Sequence, residues 1–139
     1  NKRFWDIELI LRFIALFERQ NTYAPPMRDF LSTYMGDNKT KNKELSKIRK
    51  VFSDTAKIIN QKIGPDAFRH TNYFNKSICD AVMVSIAHLM EEKKLTDKLK
   101  QRHAQLLQDK EFIKCVIQST TSETNVKQRI AMAKERFTK

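Results

Sequence analysis

The chain has 139 residues, 40% of them hydrophobic, and 27 Lys and Arg against 16 Asp and Glu give a formal charge of +11. That is enough for one domain with a real core and too apolar for a disordered chain. With 2 Gly and 3 Pro, the tight turns of a β-sandwich or an α/β fold are excluded, and an all-α fold is expected: a single irregular helical bundle of six or seven helices.

The first predicted helix runs from Trp5 to Gln20. Its polar residues Glu8, Arg12 and Arg19, with small Ala15 among them, form one narrow stripe at helical spacing. A helix wetted on so little of its circumference is wrapped by other protein. It lies close to Asn1, which is not a methionine, so the chain reads as a piece of a longer protein. Tyr23-Ala24-Pro25-Pro26 ends this helix, because successive prolines cannot continue it. A short second helix is expected from Met27 to Met35, with Met27, Phe30, Leu31 and Tyr34 on one face and Gly36 as its stop.

Asp37 to Lys43 reads as a polar loop. A long third helix follows from Lys43 to Ile63, with a seam of Leu45, Ile48, Phe52, Thr55, Ile59 and Ile63, and Gly64-Pro65 terminates it. The stretch Asp66 to Tyr73 leaves room for one helical turn around Ala67-Phe68. Asn75 is a strong N-cap residue, and Phe74 and Cys79 stand at staple positions around it. The fourth helix, to about Lys93, is the second apolar centre. Thr96 is expected to cap a fifth helix (Asp97 to Leu107) and Asp109 a sixth, to Gln118. A last helix carries Val126, Ile130, Ala133 and Phe137 on one face. The first and fourth helices are expected at the centre, with Trp5, Leu9, Phe13, Ile14, Ile78, Val82, Ile86 and Leu89 among the most buried residues.

Catalytic motifs are missing from the sequence. Gly36 and Gly64 lie too far apart for a phosphate loop. His70, His88 and His103 have no neighbours at metal-ligand spacing, and no metal or cofactor is expected. Cys79 and Cys115 read as buried thiols in a reducing, cytoplasmic setting. Asp80 is accounted for by the macrodipole at the start of the fourth helix. The longest apolar run is roughly a dozen residues, short of the ~20 that span a bilayer, so no membrane partner is expected.

The strongest positive signal is the basic cluster Lys39, Lys41, Lys43, Lys47, Arg49 and Lys50, which starts in a loop and continues onto one flank of the third helix. Such a cluster can neutralise several phosphates. No aromatic interleaves with it, so base stacking is not implied. The bland alternative is a solvated lysine loop. A second basic group, Lys127, Arg129, Lys134, Arg136 and Lys139, occupies the last helix and can equally serve solubility.

Three stretches resemble a known family. Glu8 to Leu16, followed by Tyr23 and by Met27 to Met35, resembles a characteristic stretch of the GmrSD-type restriction endonuclease family. Phe74-Asn75-Lys76-Ser77-Ile78 with Asp80-Ala81 is similar to its next landmark. Val126, Arg129-Ile130 and Ala133 resemble its closing helix. In that family a ParB/sulfiredoxin-like domain with an Asp-Gly-Gln-Gln-Arg motif comes first, associated with nucleotide use and DNA cleavage in anti-phage defence. A helical region like this one follows it, and some members continue into an HNH-type nuclease domain. This chain has no Asp-Gly-Gln-Gln-Arg and no His-Asn-His cluster, so no catalytic residue carries over. The resemblance implies a non-catalytic helical module. Its partners would be the N-terminal nuclease domain of the same parent chain and, as a candidate, DNA; oligomerisation stays open. Arg12, alone among the matched apolar residues of its helix, is expected to pair with Glu8 or reach that other domain. The alternatives are a free-standing helical nucleic-acid-binding protein and a protein-interaction module docking through the surface around the first helix.

Overall fold

The computed structural model of the chain describes residues 2–38 and 42–139, with side chains over residues 7–38 and 46–139. Among the described residues there are seven α-helices: α1 (Lys2–Arg19), α2 (Met27–Asp37), α3 (Asn42–Lys62), α4 (Lys76–Glu91), α5 (Leu99–Gln108), α6 (Lys110–Ile117) and α7 (Glu123–Phe137). The architecture is an all-α bundle. No helix among the described residues is long and apolar enough to cross a membrane.

α4 is the hub. Every residue from Ser77 to Ala87 is buried, as is Leu89, and a helix apolar all round must be surrounded. α7 makes its most extensive contact and α1 the next, so the centre is α4 with α7 rather than α4 with α1. Ala81 and Ser85 on α4 and Ala133 on α7 are all buried, and small residues let helix axes approach closely. The α7 seam Val126, Ile130, Ala133 and Phe137 is wholly buried, as its spacing predicts. In α1, Phe13 and Leu16 are buried, while Leu9 and Ile14 are half-buried. Trp5 lies outside the described side chains.

The helix ends follow local chemistry. The Asn75 side chain accepts the Ile78 N–H at 2.9 Å and donates to the Val116 carbonyl at 3.0 Å, fixing the start of α4 against the end of α6. Asp109 accepts the Glu111 and Phe112 N–H groups, and Ser122 accepts that of Asn125. These are N-caps, each satisfying an otherwise orphaned donor.

Among the departures from expectation, three stand out. α2 runs through Gly36 to Asp37; Asn38 closes it instead, its side chain donating to the Tyr34 carbonyl at 2.7 Å. α5 starts at Leu99, because the Thr96 hydroxyl accepts the Lys98 N–H and tightens the entry by two residues. Residues 69–74 form a two-stranded hairpin, β1 (Arg69–His70) and β2 (Tyr73–Phe74), pairing Arg69 with Phe74 and His70 with Tyr73. Thr71 adopts φ 57 in its turn. Gly64 does end α3, at φ +103, a conformation a residue without Cβ reaches at no steric cost.

Candidate functional site

The basic cluster is divided by the structure. Lys39 and Lys41 lie outside the described residues, and Lys43 lies outside the described side chains. Lys47, Arg49 and Lys50 are exposed on α3. They do not share one flank. At about 100° of rotation per residue, Arg49 sits well round the helix from Lys47 and Lys50. Lys47 borders a shallow depression beside Phe17, Glu18, His88 and Glu91. Lys50 pairs with Asp54 at 2.8 Å, both exposed, a geometry that contributes little stability.

The second basic group is mostly engaged. Lys127 pairs with Glu123 at 3.3 Å, Lys134 with Glu92 at 2.7 Å and Arg136 with Asp109 at 3.0 Å. Arg129 is not a surface residue at all: its exposure is 0%.

Arg129 belongs instead to a buried charge triad. The Asp80 carboxylate, 2% exposed, sits between two guanidinium groups, Arg12 at 6% and Arg129 at 0% exposure. Arg12 donates to Asp80 through Nε at 3.2 Å and through Nη2, a bidentate grip. Arg129 Nη2 donates to Asp80 Oδ2 at 3.4 Å, while its Nη1 reaches the carbonyls of Thr120 (2.6 Å) and Cys115 (3.3 Å). Glu8 stands 4.0 Å from Arg12, so the expected i,i+4 neighbour is present but Asp80 is the closer partner. Burial presses the Arg12 guanidinium toward the neutral form, yet Asp80 holds its pKa above the ordinary value. Burial lowers that of Arg129, with Asp80 opposing and Arg12 adding to the fall. Both remain charged, since an arginine does not deprotonate in proteins.

The triad corrects three readings. The polar stripe of α1 faces the core, with Arg12 and Ala15 buried, and the wet side carries Ile7 (60% exposed) and Ile10 (37%). Asp80 is held by two cations, not by the helix dipole alone. Arg129 serves the interior rather than solubility. The missed signal was in plain sight: one charge in each of three apolar seams, Arg12, Asp80 and Arg129. Buried charges must be paired, so lone charges of opposite sign in separate apolar seams point at one another. Beside them Tyr23, fully buried, donates to the Thr121 carbonyl at 2.6 Å, and burial raises its phenol pKa.

The remaining chemistry-bearing groups are structural. Burial pushes the Cys79 thiol pKa far up, with Asp80 adding to it, and burial raises that of Cys115. His88 Nε2 meets the Phe17 carbonyl at 2.8 Å, and His103 Nε2 the Ala67 carbonyl at 2.7 Å. Among the described residues no three His, Cys, Asp or Glu side chains gather where they could hold a metal ion.

One concave feature stands out. A cleft of about 500 Å³ opens between α1 and α3 over α4, walled by Phe13, Phe52, Ile59, Phe68 and Phe74 among others, with Cys79 and Met83 at its base. Phe74 and Cys79, the expected staple pair, both line it; Phe74 sets its ring edge-on to Phe68 at 6.2 Å. Comparison with known protein families, curated proteins and solved structures finds no match to this chain.

Proposed function

We propose that this chain is the non-catalytic helical module of a GmrSD-like anti-phage restriction nuclease, supporting a preceding nuclease domain and adding affinity for DNA in the cytoplasm. The observation that carries the reading is the triad. Each of the three stretches that resemble the family contributes one member: Arg12 from the first, Asp80 from the second, Arg129 from the third. Tyr23 and Asn75, also in those stretches, fix neighbouring backbone. Residues scattered along the sequence thus meet at one point, which supports reading them as a family's fold signature rather than chance similarity.

The DNA component rests on the exposed Lys47, Arg49 and Lys50 of α3 and on Lys39, Lys41 and Lys43, which precede them in the sequence. Lysines bind phosphate as point charges and read no base edge from outside a groove. Binding should be weak, indifferent to sequence and steeply dependent on salt. Neutralising Lys39, Lys41, Lys43 and Lys47 together should flatten the slope of affinity against salt. A quadruple variant that keeps the parental affinity and slope would remove the DNA part of the reading. The family part is tested by the gene upstream of Asn1: an Asp-Gly-Gln-Gln-Arg segment supports it, and its absence gives the lead to a free-standing nucleic-acid-binding protein. The purified chain should cleave neither DNA nor nucleotide; dose-dependent cleavage abolished by a point substitution within it would refute that.

The interaction-module reading has its own support in the apolar cleft and in the exposed Ile10 and Phe74 that line it.

A further inference from the structure

We propose that the cleft between α1 and α3 is a docking groove for an amphipathic helical segment of another protein, one whose apolar edge is flanked by carboxylates. The apolar surface continues past the cleft itself. Ile10 and Phe74 line its wall yet are 37% and 50% exposed. Ile7, 60% exposed, stands one turn before Ile10 on α1. Exposed apolar side chains on the walls of one cleft mark a contact surface.

Charge selects the occupant. Along α3, Arg49, Ala56 and Asn60 stand at i, i+7 and i+11, so Arg49 continues the row of residues that forms this wall. Lys57 stands on the outer shoulder. Both are exposed and have no ion-pair partner among the described residues. Among the described residues, Glu8 on the facing wall is held by Lys76 at 3.7 Å and Arg12 at 4.0 Å, the lining Asp80 is held by Arg12 and Arg129, and Asp66, between the lining residues Pro65 and Ala67, has Arg69 at 3.9 Å. Among the described side chains each rim carboxylate thus has a cation within 4.0 Å, whereas Arg49 and Lys57 have no carboxylate that close, a balance that favours an acidic partner and steers it in. A second copy would bring the same cationic shoulder against itself, a like-charge contact in any two-fold arrangement. A nucleic acid would have to desolvate phosphates against phenylalanine walls. The α3 wall from Arg49 to Asn60 spans about 16 Å at 1.5 Å per residue. That is three turns, the length over which a groove reads anchors at i, i+3, i+4 and i+7.

The test uses the whole chain and a fluorescein-labelled helical peptide of about fourteen residues, with leucines at those four spacings and glutamates flanking them. Its twin carries lysines in place of the glutamates. Fluorescence polarisation should show the glutamate peptide binding at least about tenfold more tightly than the twin. The double substitution Arg49→Glu and Lys57→Glu should reverse that order. Phe74→Ser and Ile10→Ser, both at exposed positions, should weaken both peptides by about tenfold while the melting curve stays parental. The proposal is overturned if neither peptide binds below about millimolar concentration, or if both bind equally in the wild type. It is also overturned if sedimentation shows the chain dimerising through a surface that Phe74→Ser abolishes, or if a single-stranded oligonucleotide displaces the peptide in a Phe74-dependent way.

Discussion

Two sets of cations in this molecule have opposite fates. Arg12 and Arg129 are buried and converge on one carboxylate, whereas Lys47 and Lys50 stand in water on α3. The sequence offers the same charge in each case. What differs is the surrounding seam: Arg12 and Arg129 sit among residues that have nowhere else to go, and Lys47 and Lys50 face away from one. A buried guanidinium is held to one geometry because leaving it unpaired costs several kcal/mol. An exposed ammonium exchanges its partner for water at almost no cost.

The most severe way to break the contrast is Asp80→Asn, which leaves two buried guanidiniums without their counter-charge. It should destabilise the fold by at least about 3–5 kcal/mol, measured by urea denaturation. An effect below about 1 kcal/mol would show that the triad is solvated in solution. The sharper version replaces all three members by apolar residues, Arg12→Met, Asp80→Leu and Arg129→Met. Because desolvation consumes much of what a buried pair gains, this triple variant should be more stable than Asp80→Asn alone. The reverse order would mean that the charges stabilise the fold outright.

A smaller loss is expected at Asn75→Ala, about 1–2 kcal/mol, since the N-cap of α4 and the tie to Val116 go together. Weaker again is a pH effect at His103. Burial lowers its pKa below 6.5, opposed by the hydrogen bond to Ala67. The folded state therefore binds fewer protons than the unfolded state. Stability is fully present above about pH 6.5 and falls as pH drops below that value toward the folded pKa. Thermal melts at pH 7.5 and about pH 5 should differ more for the wild type than for His103→Gln; equal differences would place the loss elsewhere. The smallest effect belongs to the exposed set: Lys47→Ala with Lys50→Ala should shift stability by less than about 0.5 kcal/mol in the same denaturation assay.

How far the sequence reaches can be judged on particular residues. The α7 seam, the Asn75 and Asp109 caps and the stop at Gly64 are local or periodic signals, and each stands as read. Gly36 misleads because a glycine inside a helix and one just past it differ only in φ, which Asn38 decides. The hairpin at residues 69–74 is too short to leave an alternating pattern. The triad is a different kind of miss. Its members are separated by 68 and 49 positions, and only tertiary packing reveals that each apolar seam was keeping its single charge for the others. The Lys39–Lys50 cluster is half legible: its sign is plain, but its division around α3 appears only once the helical phase of Arg49 is drawn.

The two thiols turn this architecture into a clock. Cys79 and Cys115 are buried and their ionisation is suppressed, so a thiol reagent has to wait for the protein to open. Cys115 gives its carbonyl to Arg129, which ties its labelling rate to release of the α6–α7 corner. Cys79 lies at the base of the cleft and reports the separation of α1 from α3. A single trapping experiment, resolved by mass spectrometry into two peptides, would time the opening of the charged core and of the apolar groove independently and without any engineered label.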